Sequence, residues 1–216
     1  MILNSIRTRA AGALARYRGE ETGVVAVEFA FIAPLLVVFL LGTTSVSQSL
    51  WAHGKVSQTS SVIGDLIAQQ TDLDDASFGA VMNAGPVLIE PFEVGNLEIT
   101  VTAAIACHQD PTNTQNSNPS IFIVWTRGWR NGALTGGEGS PGNPLTDAPD
   151  DLTIEDSDYL IKTEVTYTYA PPFASQAGQS IDMGEIAFHQ PRDFRPVTYP
   201  SREGTQTQNC DDLMGR

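Results

Sequence analysis

Few residues in this chain have the type and spacing to do chemistry. Gly23 and Glu28 stand five positions apart, with Val24 and Phe29 directly after them, at the head of a long apolar run. Glycine leaves the backbone unbranched and free to extend. A carboxylate inside an apolar run is costly, so by default it has a partner or a task. Cys107 and Cys210 are the only thiols, too few for a disulfide scaffold or a zinc site of thiolates alone. Asp147, Asp150, Asp151, Glu155, Asp156 and Asp158 crowd one stretch, and hard oxygens of this kind can hold Ca2+. Their spacing is not that of an EF-hand, so a solvated acidic face is the simpler reading. Ca2+ at Asp147–Asp158 is the lesser alternative, and no other cofactor or metal is expected.

Enzyme signatures are missing. No H-E-x-x-H, G-x-S-x-G, C-x-x-C or G-x4-G-K-[ST] string occurs. Cys107 and His108 are neighbours, but adjacent strand residues point to opposite faces, a poor geometry for a thiolate pair. His53, His108 and His189 are scattered. Gly137–Gly142 spells G-x-G-x-x-G, yet Pro141 denies an amide to phosphate, and Pro144 and Pro149 oppose the helix such a loop needs. The expectation is that this is not an enzyme.

The elements that must position these residues follow from charge. The chain has 216 residues, 41% hydrophobic content and a net charge of −13. That balance opposes nucleic-acid binding, which needs Lys and Arg for phosphate, and the apolar content opposes wholesale disorder. The charge is zoned. Arg7, Arg9, Arg16 and Arg18 face only Glu20 and Glu21 in residues 1–23, and Glu28 is the one charge in 24–42. Residues 43–216 hold 8 basic and 22 acidic side chains. A basic head, an apolar run and an acidic body describe a membrane topology.

Val24 to Gly42 is 19 residues long, close to the ~20 that cross a hydrocarbon core. Basic groups lie only on its N-terminal side, so the N-terminus is expected in the cytoplasm and the body outside. A cleaved secretory signal would have a shorter apolar core and a small-x-small site; TTSVSQS after Gly42 matches that poorly. Pro34 removes a backbone hydrogen bond in mid-span and is expected to kink the helix there. Shallow placement of Glu28, within reach of water, is the plain alternative to a functional role.

Gly23-Val24-Val25-Ala26-Val27-Glu28-Phe29, followed by an apolar helix, resembles a prepilin peptidase site. The fuller string GVVAVEFAFIAPLLVVFLLG resembles the TadE/TadF-like family, pilin-like minor components of the Tad (Flp) tight-adherence pilus system. The strong part of the resemblance covers about residues 16–42; the body adds only a long helix and an acidic β-rich domain. The resemblance implies cleavage after Gly23 on the cytoplasmic side by a membrane aspartyl protease. Val24 becomes the new N-terminus, and Glu28 pairs with the free amine of a neighbouring subunit. Two unpaired charges in lipid are each expensive, and pairing offsets much of that cost.

Past the span, Val46, Leu50, His53, Val56, Ser60, Ile63, Ile67 and Gln70 fall at three- and four-residue steps. One helix from Val24 to about Gln70 is expected, ~70 Å long at 1.5 Å per residue. Its second half packs on the body or on partner subunits, with His53 at the surface. Thr71–Asp75 offers caps and acids for a short helix over about Asp74–Asn83, ended by Gly85-Pro86. Alternation marks strands at Leu97–Cys107 and Tyr159–Tyr169. Ile121–Trp125 and Glu185–His189 complete four strands, with a flexible acidic Gly/Pro-rich loop near 131–158. Arg192 and Arg195 are expected to pair with the acidic surface.

The fold class is therefore α+β: a long N-terminal transmembrane and amphipathic helix, then a small domain with an antiparallel sheet packed on the helical arm. The divisions are a leader at 1–23, a transmembrane helix at 24–45, its amphipathic continuation at 46–70 and the exported domain at 71–216. In an oxidising compartment Cys107 and Cys210 are expected to bond; two separate thiols are the alternative.

Three functions compete. The preferred one is a pilin-like minor subunit or assembly factor of a Tad-type pilus or secretion system. It sits single-pass in a bacterial inner membrane with its body periplasmic or extracellular. Its partners are the membrane, the prepilin peptidase, other pilin-like subunits and the Tad machinery, and not nucleic acid. The second is an uncleaved signal-anchored envelope protein with a binding or scaffold domain. A membrane-tethered enzyme comes last. TadE and TadF types are not separated by these residues, nor are places in the fibre, its tip or its base.

Overall fold

A computed structural model describes residues 22–107, 119–137, 139–149, 152, 154–172, 178–192, 196–199 and 210–214. Residues 1–21 of the expected leader lie outside the described residues, as do His108, Glu138, Asp150, Asp151 and Arg195. The chain divides into two compact units, Met1–Ser47 and Gln48–Arg216.

The first element is one long helix, α1, Thr22–Ala68, which continues through Pro34. In the second unit its residues Ala52, Val56, Thr59, Ser60, Ile63 and Ile67 are buried. Each large apolar side chain so buried contributes about 1.5–3 kcal/mol. The buried stripe starts later than the sequence periodicity suggests. Val46 and Leu50 are 62% and 67% exposed, and His53 and Gln70 lie at the surface. Ala52 and Thr59 face inward instead, because close approach to a sheet favours small side chains on the inner face.

Two short helices follow. α2, Asp75–Met82, begins at a capping box: the Ser77 amide donates to Asp74 Oδ1 at 2.7 Å, and the Asp74 amide donates to Ser77 Oγ at 2.9 Å. Gly85-Pro86 does not end the helical region as expected. Asn83 closes α2 and opens a further turn, α3, Ala84–Ile89. Pro86 falls in its first turn, where a missing N–H costs nothing.

Five strands form one antiparallel sheet in the order β3-β2-β1-β4-β5. They are β1 Leu97–Cys107, β2 Ser120–Arg130, β3 Ala133–Gly136, β4 Tyr159–Tyr169 and β5 Ile181–His189. Alternation in the sequence gives the bounds of β1 and β4 directly. The strands expected at Ile121–Trp125 and Glu185–His189 are longer in both cases, and β3 lies in a stretch expected to be loop. A turn at Asn131-Gly132, both with positive φ, joins β2 to β3. Asn-Gly is the pair such a hairpin turn requires.

The helix-facing side of the sheet carries Leu97, Ile99, Val101, Ile105, Trp125, Trp129, Ile161, Val165 and Tyr167, all buried. β1 is also buried at Thr102, Ala104 and Ala106 on the other side, where a half-buried strand was expected. The loop before β4 lies against this region of the sheet. Its residues 142–145 exchange backbone hydrogen bonds with Ile121 and Ile123, a Cβ on Gly139 would meet Ile123, and Asp147 reaches Lys162. The tail is fastened at the far side. Thr198 pairs with Asp72, Trp125 Nε1 donates to the Val197 carbonyl at 2.7 Å, and Tyr199 packs against Phe78 and Trp125. A short helix, α4, Cys210–Met214, ends the described chain.

Two glycines of α1 measure how close the arm lies to the sheet. A Cβ at Gly64 would stand 2.5 Å from His189 Nδ1 and 3.0 Å from Thr163 Oγ1, whereas nothing lies within 4 Å of one at Gly54. Gly64→Ala should destabilise the domain by about 1–3 kcal/mol through overpacking. Gly54→Ala should stabilise it by about 0.5–1 kcal/mol through helix propensity. Urea unfolding of both variants checks the contrast, and equal effects would contradict the packing described.

Candidate functional site

Gly23, Val24, Glu28 and Phe29 lie on the N-terminal part of α1. A Cβ at Gly23 would meet nothing within 4 Å. Glycine in a helix costs about 1 kcal/mol relative to alanine, so the Gly23–Val24 bond sits where the helix unwinds with least loss. Val24 and Glu28 are four residues apart, and such residues share one helix face. No Lys or Arg of the described residues comes within ion-pair distance of Glu28.

Around these residues the helix is apolar on every side. Phe29, Phe31, Leu35, Val38 and Phe39 are each at least 65% exposed. This is the one described helix long and apolar enough to cross a membrane. The hydroxyls that follow the run do not interrupt it. Thr43 Oγ1 and Thr44 Oγ1 donate to the Leu40 carbonyl at 3.0 and 2.8 Å, and Ser45 Oγ donates to Leu41 at 2.9 Å. Back-bonded hydroxyls are satisfied within the helix and tolerate an apolar environment, so the segment compatible with lipid extends to Ser45.

Cys107 and Cys210 form a disulfide, tying the end of β1 to the start of α4 across 103 positions. The other sequence-predicted residues are not brought together into a site. Asp147 and Glu164 flank Lys162, which is nearly buried. Burial opposes the charged amine, but hydrogen bonds to both carboxylates outweigh it and raise its pKa. Asp147 thus fastens the acidic loop to β4. His53 Nε2 lies 3.3 Å from Glu185, and Arg192 lies 2.9 Å from Asp65. Gly142 donates its amide to the Ile123 carbonyl, so the G-x-G-x-x-G string serves strand pairing. Among the described residues no group of three or more His, Cys, Asp or Glu side chains is arranged to hold a metal.

A feature that sequence reasoning missed is a cleft at the start of the second unit, lined by Gln48, Trp51, Phe92, Glu93, Asn96, Tyr167 and Tyr169 among others. Alternation along β4 places Tyr167 and Tyr169 on one face, but nothing in the sequence joins them to Trp51.

The geometry defines a class: an apolar N-terminal helix of membrane-spanning length, continued into an arm against an antiparallel sheet. Residues 23–63 match the family model described as TadE-like protein, the family that the N-terminal residues resemble. The match begins at Gly23 and ends within the arm, before the sheet. It ties the chain to proteins related to the Tad pilus. No curated protein and no solved structure matches the chain.

One titratable group sits between arm and sheet. His189 Nδ1 is buried without a hydrogen-bond partner, as is Thr163 Oγ1. Burial lowers the His189 pKa, against a smaller opposing pull from Asp65. A depressed pKa means that the unfolded chain takes up the proton first. The contribution is therefore present above the unfolded imidazole value of about 6.5 and is lost as pH falls below it. Chemical unfolding at pH 7.5 and 5.5 should show a drop in stability that is smaller in His189→Gln. An equal drop in both chains would show that His189 is not its source.

Proposed function

We propose that this chain is a pilin-like minor subunit or assembly factor of a Tad-type pilus or secretion system. A prepilin peptidase cleaves it after Gly23, leaving Val24 as the N-terminus. The observation that carries the reading is the TadE-like match, which starts at Gly23 itself and runs along the apolar helix into the arm. The chain then sits single-pass in a bacterial inner membrane, with its N-terminus cytoplasmic and its sheet domain outside. The charge zones support that orientation. The Cys107–Cys210 disulfide supports an oxidising compartment for the domain.

The chemistry follows from charge in lipid. Cleavage creates an ammonium at Val24, and Glu28 has no basic partner of its own among the described residues. Two such charges in a low-dielectric layer attract strongly, and a neighbouring subunit that supplies the amine lowers the cost of both. Registry between subunits is then set by where the pair can form. Pro34, inside the helix, lets the backbone bend locally between neighbours. No catalysis is assigned to the chain.

An uncleaved envelope anchor with a scaffold domain is the competing reading, and the mature N-terminus separates the two. Intact-mass analysis of membrane-extracted protein should give a chain beginning at Val24, and Gly23→Leu should retain the leader. A wild-type chain beginning at Met1 would refute the pilin reading. Glu28→Ala should still be cleaved but should fall at least about tenfold in incorporation or in support of pilus assembly. Normal piliation in Glu28→Ala would remove the pairing role.

A further inference from the structure

The cleft at the start of the second unit has a cavity volume of 580 Å³. Its walls are aromatic. Trp51 meets Phe92 edge to face at 5.3 Å, and Phe92 meets Tyr169 edge to face at 5.5 Å. Tyr167 and Tyr169 are nearly buried at its base, while Trp51 is 53% exposed at its mouth. The polar groups are mostly satisfied: Tyr169 donates its hydroxyl to Gln48 Oε1 at 3.3 Å, and Asn96 Nδ2 donates to the Thr168 carbonyl at 3.2 Å. Glu93 is exposed on the wall and has no ion-pair partner among the described residues. Its charge helps to raise the pKa of Tyr167, after burial. The lining contains no Lys, Arg or His.

Aromatic rings beside a lone carboxylate form a site for a cation, since ring faces and the carboxylate both attract positive charge. An anion would meet only repulsion, in a body with 22 acidic and 8 basic side chains. The place of the cleft in the chain narrows the ligand further. The apolar run opens at Val24, and ~20 residues of helix cross the hydrocarbon core. Counted from Val24, that length ends at Thr43, five residues before Gln48, the first residue of the cleft. Leu50, two positions after Gln48 in the chain, is exposed and apolar, as expected where lipid still reaches. Tryptophan and tyrosine favour the level of the headgroups.

We propose that this cleft binds the ammonium group of a membrane lipid headgroup, as in phosphatidylethanolamine. Trp51, Phe92, Tyr167 and Tyr169 supply the aromatic surface, and Glu93 supplies the countercharge. The proposal rests on the reading that the apolar helix spans a bilayer. Bound in this way, the lipid fixes the height of the domain above the membrane and resists withdrawal of the helix.

The test uses the full chain in nanodiscs of equal phosphatidylethanolamine and phosphatidylglycerol. Lipids retained after gentle release are counted by native mass spectrometry. Wild type should keep phosphatidylethanolamine in preference to phosphatidylglycerol. Glu93→Gln and Trp51→Ala should each lower that preference by about three- to tenfold, with unchanged thermal unfolding. Equal retention of the two lipids by wild type, or variants that keep the preference, would overturn the cleft assignment while leaving the membrane reading intact. Failure of wild type to enter the discs would overturn both. A photoreactive residue at position 51 should give lipid adducts; adducts only to protein would overturn the lipid assignment.

Discussion

A helix satisfies its own backbone. That property allows one element, Thr22–Ala68, to serve two solvents. In hydrocarbon no water is available for N–H and C=O groups, so a spanning segment must pair them internally. Against a sheet the same pairing leaves one face free to bury side chains. The two uses differ only in side-chain pattern: apolar on every side through the first unit, then a single inward stripe from Ala52 to Ile67. The hydroxyls of Thr43, Thr44 and Ser45 fold back onto the helix where the two patterns meet.

The domain depends on that stripe because its sheet needs a cover. β1 lies in the centre with partners on both sides, and its odd-numbered residues form the core surface that faces the helices. The arm covers the β4–β5 side, where Gly64 sits against His189 and Thr163. α2 and the tail cover the β2 side through Phe78, Trp125 and Tyr199. The disulfide at Cys107 holds the end of β1. The opposite side of the sheet is closed in part by the acidic loop, with Lys162 as the anchor for Asp147.

Much of this was legible in the sequence. Period-two alternation is a local signal, and it fixed β1 and β4 to the residue. The long helix was legible because its apolar run exceeds any strand. Gly23 and Glu28 draw attention for a similar reason: a glycine and a charge stand out against a uniform background. What escaped depends on contacts between distant residues. β3 is four residues long and follows a turn in a Gly-rich stretch, so its strand character comes from pairing with β2. The arm's inner face shifted toward Ala52 and Thr59 because the sheet selects for size as well as polarity. The aromatic cleft joins residues more than a hundred positions apart, and no spacing rule reports that.

The TadE-like match ends at residue 63, so family and fold divide the chain unevenly. The match covers the apolar segment and most of the arm. The claim that one helix passes from lipid to a protein core is tested most directly by a photoreactive residue placed singly at each position from 24 to 68 of the full chain in nanodiscs. Lipid adducts should form at every position from Phe29 to Val46, whatever the helix face, and should cease at Val56, Ile63 and Ile67. Adducts at only every third or fourth position of the first stretch would contradict it, because that stretch would then be packed against protein on one side.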